Sequence, residues 1–509
     1  MSMMATIAVN RFGLGARPGD VARIASDPRG WLLAQLAPER QLPQQMAALP
    51  STVEDLAEFQ RWLRDLAAKG RAQGLNMYEG LQGAQAPHGA AMPGGAPAAM
   101  ASPGSGLSVE SEFQRRFAPR YATALKARFD AAVETERPFF ERLVHFWSNH
   151  FVVSGVKPAS VALPPSFERD AIRPHVTGRF ADMLLASTKH PAMLVYLDNF
   201  NSIGPNSVVG KNPALRRQNG PQDFALPQSA GLNENLAREI FELHTLGVRG
   251  GYSQADVTSF AKVITGWTLA RPPRVRPMRL VAEGRLNAQG MFEFDDETHE
   301  PGAHDVLGRT YAQVGVDQGE AVLNELARHP STARFIALKL ARHFISDDPP
   351  AAAVEKLAEV FRATDGDLRQ VCEAMIALPA AWDRPLQKFK TPEEYLVSAA
   401  RGVPGLRIGA GRLVRDMVAL GQRPYRAPGP NGWPDSESEW LAPDAVWKRF
   451  EWASEAAQAV ASTVLNPERL AGDILGSALS GATLEAIRRA DSPVQGLTLL
   501  LASAEFQRR

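Results

Sequence analysis

The densest cluster of chemistry-bearing residues is Asn233-Glu234-Asn235-Leu236-Ala237-Arg238-Glu239-Ile240-Phe241-Glu242-Leu243-His244. At about 100° per residue, a helix places Glu234, Asn235, Arg238, Glu239 and Glu242 within one arc of about 140°. Two readings of that arc compete. Glu234–Arg238 and Arg238–Glu242 make i,i+4 ion pairs on a solvated face. Desolvated, the same arc becomes a polar pocket with Glu234 or Glu239 as general base and Arg238 holding an oxyanion. His244 falls on the opposite face with Leu236, Ile240 and Leu243, where an imidazole packs in the core and donates to a carbonyl.

Phe146-Trp147-Ser148-Asn149-His150-Phe151 poses the same question, with His150 on the face of Leu143 and Trp147 and Asn149 beside His145. Asp198 and Asn199 follow an apolar helical run and suit a cap and turn. His299 and His304 stand among Asp295, Asp296, Glu297, Glu300 and Asp305, a mixture of imidazole and carboxylate that suits a divalent metal. His299-Glu300-Pro301-Gly302-Ala303-His304 is not a metalloprotease helix, because it has one residue too many and Pro-Gly breaks the turn. Gly204 to Asn212 is one residue too long for a phosphate loop, and its Lys211 precedes Asn rather than Ser or Thr. No Gly-x-Ser-x-Gly elbow is present. Trp433, Trp440, Trp447 and Trp452 gather near a proline-rich loop. Indole faces stack on sugars, which opens a carbohydrate-binding reading, but Trp447 is placed to pack within a helix.

Helices must position these residues. Apolar spacing predicts helices over 138–153, 233–246, 330–344, 351–364, 368–378, 445–464 and 494–504. Ser253 with Asp256 caps another, whose inner face is Val257, Phe260, Ala261, Ile264 and Trp267. Alternating β-branched runs are missing, apart from a short hairpin expected between Met291–Phe294 and Arg309–Ala312. The expected fold is therefore mostly α: a large multi-helix architecture with long loops and at most a short β-hairpin. Gly70 to Ser108, rich in Gly, Ala, Pro and Met, buries too little apolar surface to offset its chain entropy and reads as a disordered insert. The organisation expected is an N-terminal helical segment (1–69), that insert (70–108), a helical core with the polar motifs (109–400) and a C-terminal helical region packing on it (401–509).

Composition sets the class. Of 509 residues, 45% are hydrophobic and 22% charged, as in ordinary globular proteins. Lys and Arg number 56 against 55 Asp and Glu, which argues against a nucleic-acid partner. The single cysteine, Cys372, excludes an internal disulfide framework and a Cys-rich zinc module. No run approaches the roughly 18 apolar residues of a membrane span. Met1 to Gly15 lacks the basic start, apolar stretch and small-residue cleavage site of an export signal, so the cytoplasm is the default compartment.

Taken in order, NRFGLGARPGD (10–20), FWSNHF (146–151), HPAMLVYLDN (190–199), NENLAREIFELHTLGVRGGYSQADV (233–257) and ITGW (264–267) carry a resemblance that covers nearly the whole chain outside 70–108. HEPGAHDVLG (299–308), HPSTARFIALKLARHFISDDPP (329–350) and the terminal LLLASAEFQRR extend it. The sequence closely resembles the bacterial family catalogued as domain of unknown function 1800. His299, Glu300, Gly302, Leu307 and Gly308 match that family's loop pattern, whereas His304 stands where lysine is usual. The resemblance implies a protein partner from the family catalogued as domain of unknown function 1501, and export alongside it when that partner bears a signal. It supplies positions and not a reaction. It also shifts the polar arc toward a buried network, giving one central pocket drawn from Asn149, His150, Asp198, Asn199, Asn233, Glu234, Arg238, Glu239, His244, His299 and Glu300. If catalytic, that pocket implies a hydrolase with Glu234 or Glu239 as base and His299 as metal ligand or proton shuttle. The alternative is a non-catalytic binding or scaffold protein.

Overall fold

The computed structural model describes residues 2–39, 41–73, 109–156, 160, 163–212, 231–270, 291–463 and 466–509. Proline opens many of its helices, where the missing N–H is no loss and the fixed φ suits the first turn. Two of these prolines follow a histidine. His190 Nδ1 accepts the Ala192 N–H and His329 Nδ1 accepts the Ser331 N–H, each at 3.1 Å, so both imidazoles act as N-caps. That role needs a ring nitrogen with its lone pair available, and burial pushes His190 down to about 4.

Five helices build the regions of interest. They are α1 (Pro138–His150), α2 (Asn235–Glu239, continued by a π turn over Ile240–His244), α3 (Gln254–Val263), α4 (Pro330–Phe344) and α5 (Pro392–Gly402). Helix α1 is central, with Phe139, Phe140, Leu143, Val144 and Trp147 all buried. Phe12, Phe139 and Phe344 meet at centroid distances of 5.6 to 5.9 Å, joining the beginning, middle and later parts of the chain in one core. Each such ring contributes about 1.5–3 kcal/mol by burial.

The Asn10–Gly15 motif is a scaffold for buried arginines. Arg142 Nε donates to the Gly13 carbonyl at 2.5 Å and Arg401 Nε to the Gly15 carbonyl at 3.0 Å. Gly15 sits at φ +99°, with Ser398 where a Cβ would stand, so glycine is required there.

The chain is mostly α-helical, with four short strands among the described residues: β1 (Trp267–Leu269), β2 (Phe292–Phe294), β3 (His304–Val306) and β4 (Arg309–Tyr311). The expected hairpin between Met291–Phe294 and Arg309–Ala312 does not form. Instead β2 pairs antiparallel with β1, and β4 with β3. Leu307 and Gly308 both have positive φ, giving β3 and β4 a two-residue turn that fixes their register. Trp267 is likewise not on the inner face of α3. That helix stops at Val263, Gly266 turns at φ +82°, and Trp267 begins β1. Trp447 does not pack in the core either: it is 60% exposed and stacks on Phe450 at 5.7 Å. The helix before the expected insert runs on to Gln73, and residues 74–108 lie outside the described residues.

Candidate functional site

The last two turns of α1 face a cavity of about 230 Å³. His145, Ser148, Asn149 and His150 come from α1, Lys339 and His343 from α4, and Glu393 and Glu394 from the first turn of α5. Glu168 and a loop carrying Tyr425, Trp433 and Asp435 complete its walls. Asn149 ties that loop down. Its Nδ2 donates to the Trp433 carbonyl at 2.9 Å and its Oδ1 accepts the Trp433 N–H at 2.7 Å. Replacing Asn149 by Ala leaves both backbone groups unmatched and is expected to cost about 2 kcal/mol. Hydrogen exchange at the Trp433 amide should accelerate in step. Unchanged protection there would show that the loop is held by other contacts.

Several lining atoms have no hydrogen-bond partner among the described residues: His145 Nε2, Ser148 Oγ, His150 Nδ1, His343 Nε2 and Trp433 Nε1. Each buried polar atom left so costs about 1–3 kcal/mol, so their convergence on one cavity marks a place where a polar guest is favoured. The histidine tautomers follow from their partners. His150 Nε2 donates to the His244 carbonyl at 3.1 Å, which leaves Nδ1 as acceptor. His343 Nδ1 donates to Asp435 Oδ1 at 3.1 Å, which leaves Nε2 as acceptor. Burial holds His150 well below its usual value, helped by Lys339 and His244. Burial also lowers His343, although Asp435 opposes it. Both rings are therefore neutral at pH 7.

The charged lining is mostly paired. Arg128 Nε meets Glu168 at 2.8 Å and its guanidinium also pairs with Glu393. Arg142 pairs with Glu394, whose other oxygen takes Arg509 Nε at 3.1 Å. Tyr425 donates its hydroxyl to Glu168 at 3.1 Å from a backbone at φ +63°, a conformation costly for a tyrosine and stabilised here by that bond and by the Gly155 N–H on its carbonyl.

The polar arc of α2 lies elsewhere. Glu234 is half-buried, pairs with Arg238 at 3.1 Å, and accepts Gln254 Nε2 at 2.7 Å and Thr258 Oγ1 at 2.5 Å from α3. Glu239 leaves the arc and is buried at 6% exposure, beside Tyr196. Burial and Glu242 push its carboxyl up to about 7. His244 is buried against His150, with ring centroids 6.3 Å apart, and burial draws it down to about 3. Asn233 accepts the Asn235 N–H at 2.9 Å and starts the helix, while its own amide reaches toward the Asp198 carbonyl. Asp198 turns the chain at φ +58°. Asn199 Nδ2 donates to the Ile264 and Trp267 carbonyls.

The His299 loop packs at the far end of α3. His299 Nδ1 donates to the Thr265 carbonyl at 2.9 Å, and Glu300 holds the backbone and side chain of Asn206 at 2.7 and 2.6 Å. His304 bonds the Glu300 backbone. Among the described residues, no group of three or more His, Cys, Asp or Glu side chains gathers as a metal would require. Helix α3 and the turn after it run between the two regions: Thr258 in the helix meets Glu234, and Thr265, two residues past its end, meets His299. No hydrogen bond or ion pair joins Glu234, Arg238 or Glu239 to His299 among the described residues. Of the residues singled out from sequence, Asn149, His150 and Trp433 line the cavity, while the α2 acids and the His299 loop do not.

Sequence reasoning named His145 and Ser148 only as neighbours of Asn149 and His150, and passed over Lys339, His343, Glu168, Glu393, Glu394, Tyr425 and Asp435. The signal for two of them was available: Lys339 and His343 lie four residues apart, one helical turn, inside the stretch HPSTARFIALKLARHF that carries part of the family resemblance. The site and fold define a predominantly helical protein with a buried polar cavity assembled from distant stretches of chain. The chain belongs to the protein family of unknown function DUF1800, whose model matches residues 7–508. No curated protein and no solved structure matches it. Among the described residues, no helix is long and apolar enough to cross a membrane.

Proposed function

We propose that the protein is a hydrolase that takes a small polar substrate into the α1 cavity and uses His343 as general base. The observation that carries this reading is the pairing of His343 Nδ1 with Asp435 while Nε2 stands unpartnered in the cavity wall. A carboxylate on one nitrogen fixes the tautomer and stabilises the imidazolium that forms when the other takes a proton from water. Asp435 suits that role. Burial pushes its carboxyl up, but His343, Lys388 and Arg509 outweigh the cost and keep it ionised. Glu234, the base suggested by the sequence pattern, is committed to Arg238, Gln254 and Thr258. A cavity of about 230 Å³ is smaller than the roughly 300–1,000 Å³ of drug-sized sites, which favours a substrate of metabolite size.

The test is a panel of small chromogenic esters, amides and phosphate esters, assayed with the intact protein and with His343→Gln and Asp435→Asn. Turnover of one class is expected to fall about 10²–10⁴-fold in His343→Gln, with a smaller loss in Asp435→Asn. A ligand that binds in the cavity but turns over equally in wild type and His343→Gln would make this a binding protein rather than a hydrolase.

A further inference from the structure

We infer that the cavity contains a carboxylate subsite built on Lys339, so that the physiological ligand is a small molecule that bears a carboxylate and hydroxyls beside the bond to be cleaved. This deepens the reading of the α1 cavity as a ligand site. Lys339 lines the cavity from α4, with its ammonium 5.6 Å from the centre of the Phe335 ring. Its charge reaches His150 and His244, both neutral. It makes no ion pair and no hydrogen bond with a described residue. Asp435, the acid whose field reaches it, is held by His343 at 3.1 Å and by Lys388 at 3.8 Å. Arg342, at the cavity edge, is exposed and turns its Nε to the Asp347 carbonyl at 3.2 Å, adding positive charge rather than cancelling it. Arg128 and Arg142, the other cations of the wall, already have their carboxylates.

A cation in a low-dielectric cavity without a counter-ion is costly, and a ligand anion removes that cost on binding. Burial draws Lys339 down to about 8, so at pH 7 it is still mainly the ammonium. One ammonium matches one negative charge, which suits a carboxylate. The remaining orphaned groups specify the rest of the ligand. His150 Nδ1 and His343 Nε2 are acceptors on neutral rings and ask for hydroxyl donors, while Trp433 Nε1 supplies a donor.

The probes are glycerate and its neutral isostere glyceramide, titrated calorimetrically into wild type, Lys339→Met and Lys339→Arg, with thermal melts of each protein. Glycerate should bind wild type at least tenfold more tightly than glyceramide. That preference should vanish in Lys339→Met and persist in Lys339→Arg. The ligand-free Lys339→Met protein should melt no lower than wild type, because it has lost a half-buried charge that has no ion pair with a described residue. Equal affinity of wild type for acid and amide, binding of neither, or a preference that survives Lys339→Met overturns the subsite. Failure of the hydrolytic reading shows separately, as turnover indifferent to His343→Gln with the acid preference intact.

Discussion

Glu394→Gln is expected to destabilise the fold by about 3–5 kcal/mol at pH 7, the cost of breaking a buried charge network from one side. Glu394 is 8% exposed and carries two arginines, Arg142 on one oxygen and Arg509 on the other, themselves 1% and 2% exposed. It also accepts the Thr391 N–H at 3.0 Å in the capping box of α5. An amide offers one acceptor oxygen where the carboxylate offers two, so one guanidinium is left both uncompensated and short of an acceptor. The pH dependence follows from the direction of the shift. Burial raises the carboxyl, but Arg509, Arg142, His343 and the Thr391 N–H outweigh it and hold Glu394 well below its usual range. A carboxylate depressed in the folded state contributes fully above the unfolded value of 4.5 and loses that contribution as pH falls below it. Urea unfolding at pH 7 should therefore give the full difference between variant and wild type, and at pH 3.5 a smaller one. A variant as stable as wild type at pH 7 would show that water screens this network.

What the sequence made legible is local. The spacing of apolar residues located α4 to the residue, because Pro330 sets its start and the face of Ala333, Ile336, Ala337, Leu340 and Phe344 is unbroken. Ser253 and Asp256 form the capping box their spacing implied. The Glu234–Arg238 pair is present as i,i+4 geometry requires. What escaped was set by contacts distant in sequence or by departures from a regular helix. Glu394 reads as an ordinary first-turn acid, and nothing near it announces that Arg142 lies 252 residues away. His343 and Asp435 are 92 residues apart, and each alone is unremarkable on a helix or in a proline-rich loop. The π turn at Ile240–His244 widens the helix, so a wheel drawn at a constant 100° misplaces the side chains beyond it. Three-residue strands are too short to show alternation, which is why β1 read as the end of α3 and β2 was given the wrong partner.

Glu239→Gln should stabilise the protein at pH 8 by roughly 3 kcal/mol and leave it nearly unchanged at pH 4.5. The carboxyl is 6% exposed and makes no ion pair among the described residues, since its neighbour Arg238 is paired with Glu234. Burial, with Glu242 adding to it and Arg238 opposing, raises it from 4.5 to about 7. For an acid raised on folding, the native state binds more protons than the unfolded chain between those two values. Stability due to Glu239 is therefore greatest below pH 4.5, declines as pH rises toward 7, and is flat above. Glutamine mimics the protonated acid at every pH, so it removes the decline without altering the acidic end. Urea unfolding of both proteins from pH 4.5 to 8 measures the difference directly, and comparison at each pH cancels other titrating groups such as Asp55, which burial also pushes up to about 7. A difference that stays constant across this range would mean that the Glu239 carboxylate ionises as easily folded as unfolded, and that water reaches it between α2 and Tyr196. If the difference grows as expected, Glu239 holds its proton in the folded state until about pH 7, on the helix whose π turn ends at His244, the carbonyl that accepts from His150.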